Sequence, residues 1–281
     1  MKICTLGKGF ISEHLEYSNI SERLDNSSKL INLYLDKYKP DVLINCIGKT
    51  GRPNIDWCQS HMEETAAINT AFPILLAEAC QQKSIHLIQI GSGCIFFGTS
   101  PNVVKNELGE EVDLGWNETD FANPQSFYSK SKYACDLVLG DMKHVTLLRI
   151  RMPVSPKNNQ RNLINKLLGY QKIISLPNSM TFTSDLKRCI QWVIDGSHTG
   201  IFHVTNPEPL TAAQIMKEYQ KYVPTHSFEI INESQLDALT LAKRSNCLLS
   251  TKKLNQAGFY LTPSDEALTH CMAEYVQSTN S

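Results

Sequence analysis

Several features that would assign the sequence to a functional class are missing. No apolar run approaches the roughly 18 residues of a membrane-spanning helix, and no basic cluster of the kind that binds nucleic acid is present. The formal net charge is only −1 over 281 residues. No CxxC pair occurs, which argues against a zinc site or a dithiol redox centre. We therefore expect no membrane partner, no nucleic-acid partner and no metal.

The chain does carry nine cysteines, but they are scattered along its length. This distribution is typical of reduced thiols that are buried as small apolar residues. The N-terminal MKICTLG predicts a strand rather than the apolar core of a signal peptide. From these two observations we expect a cytoplasmic protein.

Short apolar strands alternate with helical segments over the first part of the sequence. KICTL (2–6), DVLINCIG (41–48), IHLIQI (85–90) and VTLLRIRMP (145–153) have strand patterns, with helices predicted near 28–40, 56–83 and 128–142. This alternation predicts an α/β fold with a doubly wound parallel sheet of the Rossmann type. We expect a nucleotide-binding domain over 1–155, to which a later strand near 200–206 returns. Residues 156–281 would mainly form a smaller substrate-binding lobe.

The first predicted strand runs directly into the sequence G-x-G-x-x-S. Gly7 permits a tight turn, and Gly9 lets backbone N–H groups of Phe10 and Ile11 approach a pyrophosphate. A serine, Ser12, replaces the usual third glycine. The loop predicts a dinucleotide site, with an ordinary β–α turn as the alternative.

No acidic residue stands about 20 positions further on, where NAD-binding folds hold the ribose 2′-hydroxyl. The segment instead offers hydroxyl side chains and Arg23, and a guanidinium suits a 2′-phosphate better than a carboxylate does. We therefore expect NADPH as the cofactor, with NADH as the alternative. Arg23 as a plain surface charge is a competing interpretation.

Tyr128 and Lys132 are four residues apart, which places them on the same face of a helix. An ammonium beside a phenol is expected to lower the pKa of the tyrosine, so that it can exchange a proton with a carbonyl oxygen during hydride transfer. The spacing alone is a weak signal. Together with the glycine loop and Ser92, which follows the strand at 85–90, it predicts a carbonyl reductase.

These elements resemble the extended short-chain dehydrogenases/reductases that modify nucleotide sugars. The resemblance spans nearly the whole chain, and it is closest to the branch of the family that epimerises C3 and C5 of UDP-4-keto-6-deoxy-D-glucose and then reduces C4 to give UDP-L-rhamnose. The segments that carry it are KTGRPNIDWCQSH (49–61), SGCIF (92–96), SFYSKSK (126–132), LRIRMPV (148–154), RNLINK (161–166), PNSMT (177–181) and RSN (244–246).

The resemblance implies a role for each catalytic candidate. Ser92 would hydrogen-bond the reacting oxygen, and Tyr128 with Lys132 would support reduction. The positions after Ser92 are Gly93 and Cys94 rather than the two carboxylates of related dehydratases. Because protons α to a ketone are acidic, a thiol at Cys94 can act as acid or base in epimerisation. The resemblance makes Lys166 the second acid–base group.

Further contacts are implied more weakly. Asn45 and Gly48 would face the cofactor. The residues implied near the sugar and the UDP group are Arg52, Asn54, Trp57, Asn162, Asn178 and Arg244. The resemblance also implies a homodimer and leaves UDP and dTDP open. A 4-keto-sugar reductase without epimerase activity and a non-catalytic NADP-binding regulatory subunit are the rival hypotheses.

Overall fold

The fold is built around a sheet of six parallel strands. The computed structural model describes residues 1–20, 22, 24 and 26–280. Its strands are β1 Ile3–Leu6, β2 Ser18–Ile20, β3 Val42–Asn45, β4 His86–Ser92, β5 Val103–Lys105, β6 Glu111–Asp113, β7 Val145–Ile150, β8 Pro153–Val154, β9 Lys172–Ile174, β10 Thr181–Phe182, β11 Gly200–Val204 and β12 Glu229–Ile231. The large sheet has the order β11-β7-β4-β3-β1-β2. This confirms the predicted doubly wound sheet.

The helices are α1 Ser28–Tyr38, α2 Asp56–Ser60, α3 Met62–Ala66, α4 Phe72–Gln82, α5 Phe127–Leu139, α6 Leu163–Leu168, α7 Thr183–Gly196, α8 Ala212–Gln220, α9 Glu233–Leu239, α10 Lys252–Gln256 and α11 Ser264–Asn280. A π-helical segment, Ala67–Ala71, joins α3 to α4.

The order of the strands fixes where a ligand can bind. From β1 the chain moves outward to β2, and it then returns to form β3 on the other side of β1. Loops that diverge in this way leave a crevice at the carboxyl ends of β1 and β3. The loops after β4 and β7 open at the same edge, because every strand of this sheet is parallel.

Three main apolar clusters hold the molecule together. Helices α1, α4 and α5 pack on one face of the large sheet, and α7 and α10 pack on the other. A third cluster joins α6, α8 and α11 with the short strands β8, β9 and β10. This third cluster forms a smaller lobe above the carboxyl edge of the sheet. The division at residue 155 stays a prediction.

Four segments differ from the expected pattern. The helix expected over 56–83 is interrupted at His61, whose backbone is not helical and whose ring stacks on Trp57 with 3.8 Å between ring centroids. Residues 97–125, for which no element was predicted, contain the β5–β6 hairpin. The edge strand β2 and the last helix α11 were not predicted. β2 has only three residues, two of them exposed, so it lacks the apolar run that marks a buried strand.

Candidate active site

The glycine loop lies in the crevice between β1 and β3. Gly7 has φ +96°, and a Cβ there would lie 2.7 Å from Cγ1 of Ile47, so glycine is required. A Cβ on Gly9 would meet nothing within 4 Å, which leaves that side of the loop open. Ser12, in place of the third glycine, accepts a hydrogen bond from the Gly9 N–H at 2.9 Å.

This loop fits a dinucleotide in a shortened form. A single 3₁₀ turn, Ser12–His14, replaces the first helix. Among the described residues the N–H groups of Phe10 and Ile11 have no acceptor, so they are the donors that a pyrophosphate would meet. The loop residues thus lie at the carboxyl end of β1, and their contact with a cofactor stays a prediction.

The region expected to bind the adenosine ribose is described only in part. Arg23 lies outside the described residues, so its role stays a prediction. Tyr17 donates to Oε1 of Gln191 at 2.9 Å. Glu22 accepts hydrogen bonds from Lys37 and Tyr38, and these two groups hold its pKa at about 2. Its carboxylate is therefore engaged by protein groups.

The end of β3 is held by amide side chains. Asn45 is buried, donates to Oε1 of Gln89 at 2.7 Å and accepts from the Ile47 N–H at 3.0 Å. Asn69 lies in the π-helical segment and bonds both the N–H and the carbonyl of Lys49, at 2.8 and 2.9 Å. Gly48 lies between these anchors and is exposed. The loop facing the crevice is thus fixed at both ends.

Ser92 and Cys94 form the turn that follows β4. Ser92 is buried, and its hydroxyl accepts a hydrogen bond from the Cys94 N–H at 3.2 Å. The Cys94 thiol is partly exposed. The Cys94 carbonyl accepts a hydrogen bond from the Ser129 hydroxyl at 2.6 Å, and Ser126 contacts Ser129 at 2.8 Å. The two serines of the SFYS segment therefore attach α5 to this turn. This role of the two serines was not predicted from the sequence.

Tyr128 faces the turn, but its environment differs from the expectation. Burial raises the pKa of the phenol, and the nearby Cys94 adds to this, while a hydrogen bond with the Ser92 hydroxyl opposes it. The expected lowering of the pKa by Lys132 is therefore wrong for this structure. Lys132 is buried and donates to the Ile90 carbonyl at 3.2 Å. A raised pKa keeps the phenol protonated, which is the form that can donate a proton.

Lys166 reaches the same site from the smaller lobe. It lies in the last turn of α6, and burial of its amine, together with the neighbouring Arg161, lowers its pKa. The Cys94 thiolate would act in the opposite direction, which shows that the two side chains are close enough to interact. Arg161 donates to the Thr50 hydroxyl and, at 3.5 Å, to the Gly51 carbonyl. The structure thus brings together the two acid–base candidates from separate lobes.

The loop after β3 borders this site. Trp57 stacks on His61, and the Lys49 ammonium lies 4.6 Å from the centroid of the Trp57 ring. Asn54 accepts a hydrogen bond from the Asp56 N–H at 2.8 Å, so its side-chain oxygen is engaged by the loop that leads into α2. Arg52 is exposed. Of the three candidates here, Arg52 and Trp57 retain polar or aromatic surface for a ligand.

The remaining substrate candidates bond to protein groups. Asn162 is buried, and its amide donates to the carbonyls of Ser155 and Lys157 at 2.7 and 2.9 Å. Asn178 is buried, and its side-chain oxygen accepts a hydrogen bond from Arg151. Arg244 forms a two-point ion pair with Asp56, at 2.8 and 2.9 Å. In this structure their polar groups therefore order loops around the site, and contact with UDP stays a prediction.

A buried ion pair beneath α5 was not predicted. Arg149 Nε donates to Asp136 Oδ2 at 2.9 Å, and the two side chains are 3% and 1% exposed. Arg149 also contacts Nε2 of His203 at 3.2 Å, and Glu118 accepts from the His203 N–H at 2.9 Å. The pair joins α5 to β7, and helical spacing from Lys132 to Asp136 is the only sequence signal that could have found it.

Within the described part of the chain, no helix is long and apolar enough to cross a membrane. The same residues contain no group of histidine, cysteine and carboxylate side chains that could hold a metal ion.

Comparison with known proteins identifies the family. The profile described as the RmlD substrate binding domain matches residues 8–277. The chain belongs to this family. RmlD-family proteins are extended short-chain dehydrogenases/reductases, so the resemblance expected from the sequence motifs is confirmed.

Two curated relatives of this RmlD-family chain come from a plant. It is 34% identical to a bifunctional dTDP-4-dehydrorhamnose 3,5-epimerase/dTDP-4-dehydrorhamnose reductase of Arabidopsis thaliana, over 89% of this chain and 81% of the relative. It is 32% identical to a trifunctional UDP-glucose 4,6-dehydratase/UDP-4-keto-6-deoxy-D-glucose 3,5-epimerase/UDP-4-keto-L-rhamnose-reductase of the same plant, over 89% of this chain. The match spans only 37% of that longer protein.

Solved structures agree on the fold. The L780 UDP-rhamnose synthase of Acanthamoeba polyphaga mimivirus superposes with a TM-score of 0.88 and 27% identity, covering 98% of this chain and 99% of that one. A dTDP-4-dehydrorhamnose reductase of Bacillus anthracis, solved with NADP, gives a TM-score of 0.82 at 19% identity, covering 98% and 100%. The second likeness shows the fold alone.

Proposed function

We propose that this RmlD-family chain converts UDP-4-keto-6-deoxy-D-glucose to UDP-L-rhamnose by epimerising C3 and C5 and then reducing the C4 ketone. The observation that carries the proposal is the convergence of Cys94 and Lys166, from two lobes, on a site that also holds Ser92, Tyr128 and Lys132. A reductase alone needs only the last three residues. The plant relatives that combine epimerase and reductase activities support this interpretation.

In this proposal Cys94 and Lys166 exchange protons at carbons next to the ketone. Removal of such a proton leaves an enolate, whose oxygen would lie against the Ser92 and Tyr128 hydroxyls. Inversion requires that one group removes the proton from one face and another returns a proton to the opposite face. The lowered pKa of Lys166 suits it to this task, because a lower pKa increases the fraction of the lysine that is neutral and able to accept a proton.

We propose NADPH as the cofactor, since the glycine loop offers free N–H donors and the related Bacillus anthracis reductase was solved with NADP. When bound, NADPH supplies the hydride that reduces C4. Tyr128, whose raised pKa keeps it protonated, donates a proton to the C4 oxygen. Lys132 orients the site from beneath the turn, and proton resupply to Tyr128 follows from solvent.

Cytoplasmic localisation and a homodimer remain parts of this proposal. Relatives are named for both dTDP and UDP substrates, so the test of the proposal includes both sugar nucleotides.

The test uses deuterium oxide. The protein is incubated with UDP-4-keto-6-deoxy-D-glucose or its dTDP counterpart and NADPH, while absorbance reports NADPH oxidation and NMR reports deuterium at C3 and C5. The parent should give UDP-L-rhamnose labelled at both carbons. Cys94→Ala should lose exchange at one or both carbons, whereas Cys189→Ala, on the far face of the sheet, serves as the matched cysteine control.

Three results would contradict the proposal in different ways. NADPH oxidation only with a substrate that is already epimerised would make the chain a reductase alone. No NADPH oxidation with either sugar nucleotide would favour a regulatory subunit. Normal exchange in Cys94→Ala would remove the thiol from the mechanism.

A further inference from the structure

Arg151 is a buried cation that the proposed mechanism does not use. It directly follows β7, and the register of the sheet pairs Ser92 of β4 with Ile150 of β7. Arg151 therefore lies beside Gly93, and a Cβ on that glycine would be 3.5 Å from the Arg151 Cδ. Only 1% of the Arg151 side chain is exposed. The guanidinium is thus enclosed next to the Ser92–Cys94 turn.

Three of the segments that carry the family resemblance meet at this side chain. Arg151 belongs to LRIRMPV, and its Nη2 donates to Asn178 Oδ1, from PNSMT, at 2.6 Å. The same nitrogen donates to the carbonyl of Ser245, from RSN, at 2.5 Å. Asn178 also donates to Asn246 Oδ1 at 3.0 Å. Two of these segments contain residues that were expected near the UDP group, Asn178 and Arg244, and all three segments converge on one buried cation.

The charge of Arg151 has no counter-charge. Within residues 1–20, 22, 24 and 26–280, no carboxylate forms an ion pair with it, and its Nε and Nη1 lack hydrogen-bond partners. The neighbouring Arg149, in contrast, is paired with Asp136. Burying an unpaired charge lowers the free energy of unfolding, so the presence of one suggests a role in function rather than in stability.

The titratable groups that interact near Arg151 include two thiols and one carboxylate. Cys247 is buried, interacts electrostatically with both Arg151 and Cys94, and its Sγ lies 3.8 Å from the Gly93 carbonyl. Asp113 also acts on Cys247, but its oxygens accept hydrogen bonds from Ser100 and from the Gly115 N–H. The Arg151 guanidinium is therefore a positive charge close to the Ser92–Cys94 turn. It lies in a buried region of low polarity, where electrostatic interactions are strong.

We propose that Arg151 is a positioning residue whose unpaired guanidinium makes the electrostatic potential at the Ser92–Cys94 turn positive and so stabilises negative charge formed there. This inference rests on the proposed function for its chemical use. When a base takes the proton from C3 or C5, the C–H electron pair becomes part of the enolate and the ketone oxygen takes the negative charge. A fixed positive charge nearby lowers the free energy of that state without moving.

A substrate-free experiment measures the potential at Cys94. Alkylation by the anionic iodoacetate is compared with alkylation by the neutral iodoacetamide, and peptide mass spectrometry isolates the Cys94 signal. Both reagents react with the same thiolate. The ratio of the iodoacetate rate to the iodoacetamide rate therefore reports the electrostatic potential at Cys94. In Arg151→Gln the ratio should fall about threefold or more. In Arg151→Lys, which keeps the charge, it should stay close to that of the parent.

A second variant avoids removing the arginine. Asn178→Asp keeps the acceptor for Arg151 and adds a counter-charge beside it. Asn178→Ala is the matched control, because it loses the same amide without adding charge. Asn178→Asp should lower the ratio and Asn178→Ala should not, so the inference stays testable even if Arg151→Gln fails to fold.

Deuterium exchange into the 4-keto sugar then tests the chemical use. Exchange should fall about tenfold or more in Arg151→Gln and Asn178→Asp, and it should recover in Arg151→Lys. An unchanged alkylation ratio in both Arg151→Gln and Asn178→Asp overturns the inference, as does a changed ratio with normal exchange. A changed ratio in a protein that exchanges no sugar protons would leave the field of Arg151 in place and overturn the proposed function.

Discussion

The buried pair between Asp136 and Arg149 gives a sharp prediction, because both side chains are almost fully enclosed. Asp136→Asn keeps the shape of the side chain but leaves the Arg149 charge without its partner at 2.9 Å. Breaking one side of a buried pair typically costs about 3–5 kcal/mol. That is a large share of the about 5–15 kcal/mol that stabilises an ordinary domain. With an m-value of about 3 kcal/mol/M, the urea midpoint should fall by about 1 M or more.

Urea unfolding followed by far-UV circular dichroism measures the effect. The exposed pair between Lys83 and Asp36 provides the control, since Asp36→Asn should change the unfolding free energy by less than about 1 kcal/mol. Replacing both members, as Asp136→Leu with Arg149→Met, should recover most of the loss because no charge is left unpaired. A change within about 1 kcal/mol of the parent for Asp136→Asn would refute the reasoning.

Three further predictions concern the turn, the lysine and acid stability. Ser129→Ala removes the donor to the Cys94 carbonyl and should lower the free energy of unfolding in urea by about 1–3 kcal/mol. The rate of deuterium exchange should fall more than the rate of reduction of an already epimerised sugar. Equal losses of the two rates would contradict this prediction. Arg161→Gln should raise the pKa of Lys166 by removing a nearby cation, so the midpoint of the exchange rate against pH should move upward, and a downward shift would contradict the assignment. Burial lowers the pKa of His203 well below 6.5, so the unfolded chain binds more protons than the folded one below that pH. The free energy of unfolding should therefore fall below pH 6.5 by up to about 1.4 kcal/mol per pH unit. His203→Gln should reduce that pH dependence in urea titrations.

The features that could be predicted from the sequence are those that depend on short local segments of the chain. The glycine loop after β1, the serine turn after β4 and the Tyr128–Lys132 spacing on α5 each depend on a few consecutive residues, and all three lie at the edge of the sheet where they were expected. Parallel strands then bring these segments together without further information. The short edge strand β2 depends on its pairing with β1, and at the helix break the His61 ring stacks on Trp57; neither contact is visible in the periodicity of apolar residues.

The partners of polar side chains could not be predicted in the same way. Arg244 was expected near the UDP group because of the family resemblance, yet its partner is Asp56, 188 residues away along the chain. Asn162 was assigned similarly, and its amide caps its own loop. Residue type indicates what a side chain can bind, whereas the fold decides whether a protein group already binds it.

The two arginines of LRIRMPV show how much that distinction matters for function. Two positions apart, Arg149 and Arg151 are both buried and cannot be told apart by composition or spacing. The first has a carboxylate from α5, and the second has only neutral acceptors. The first should therefore act mainly on stability and the second mainly on charge at the Ser92–Cys94 turn. If Asp136→Asn impaired deuterium exchange in a folded protein as strongly as Arg151→Gln, this division of roles would be wrong.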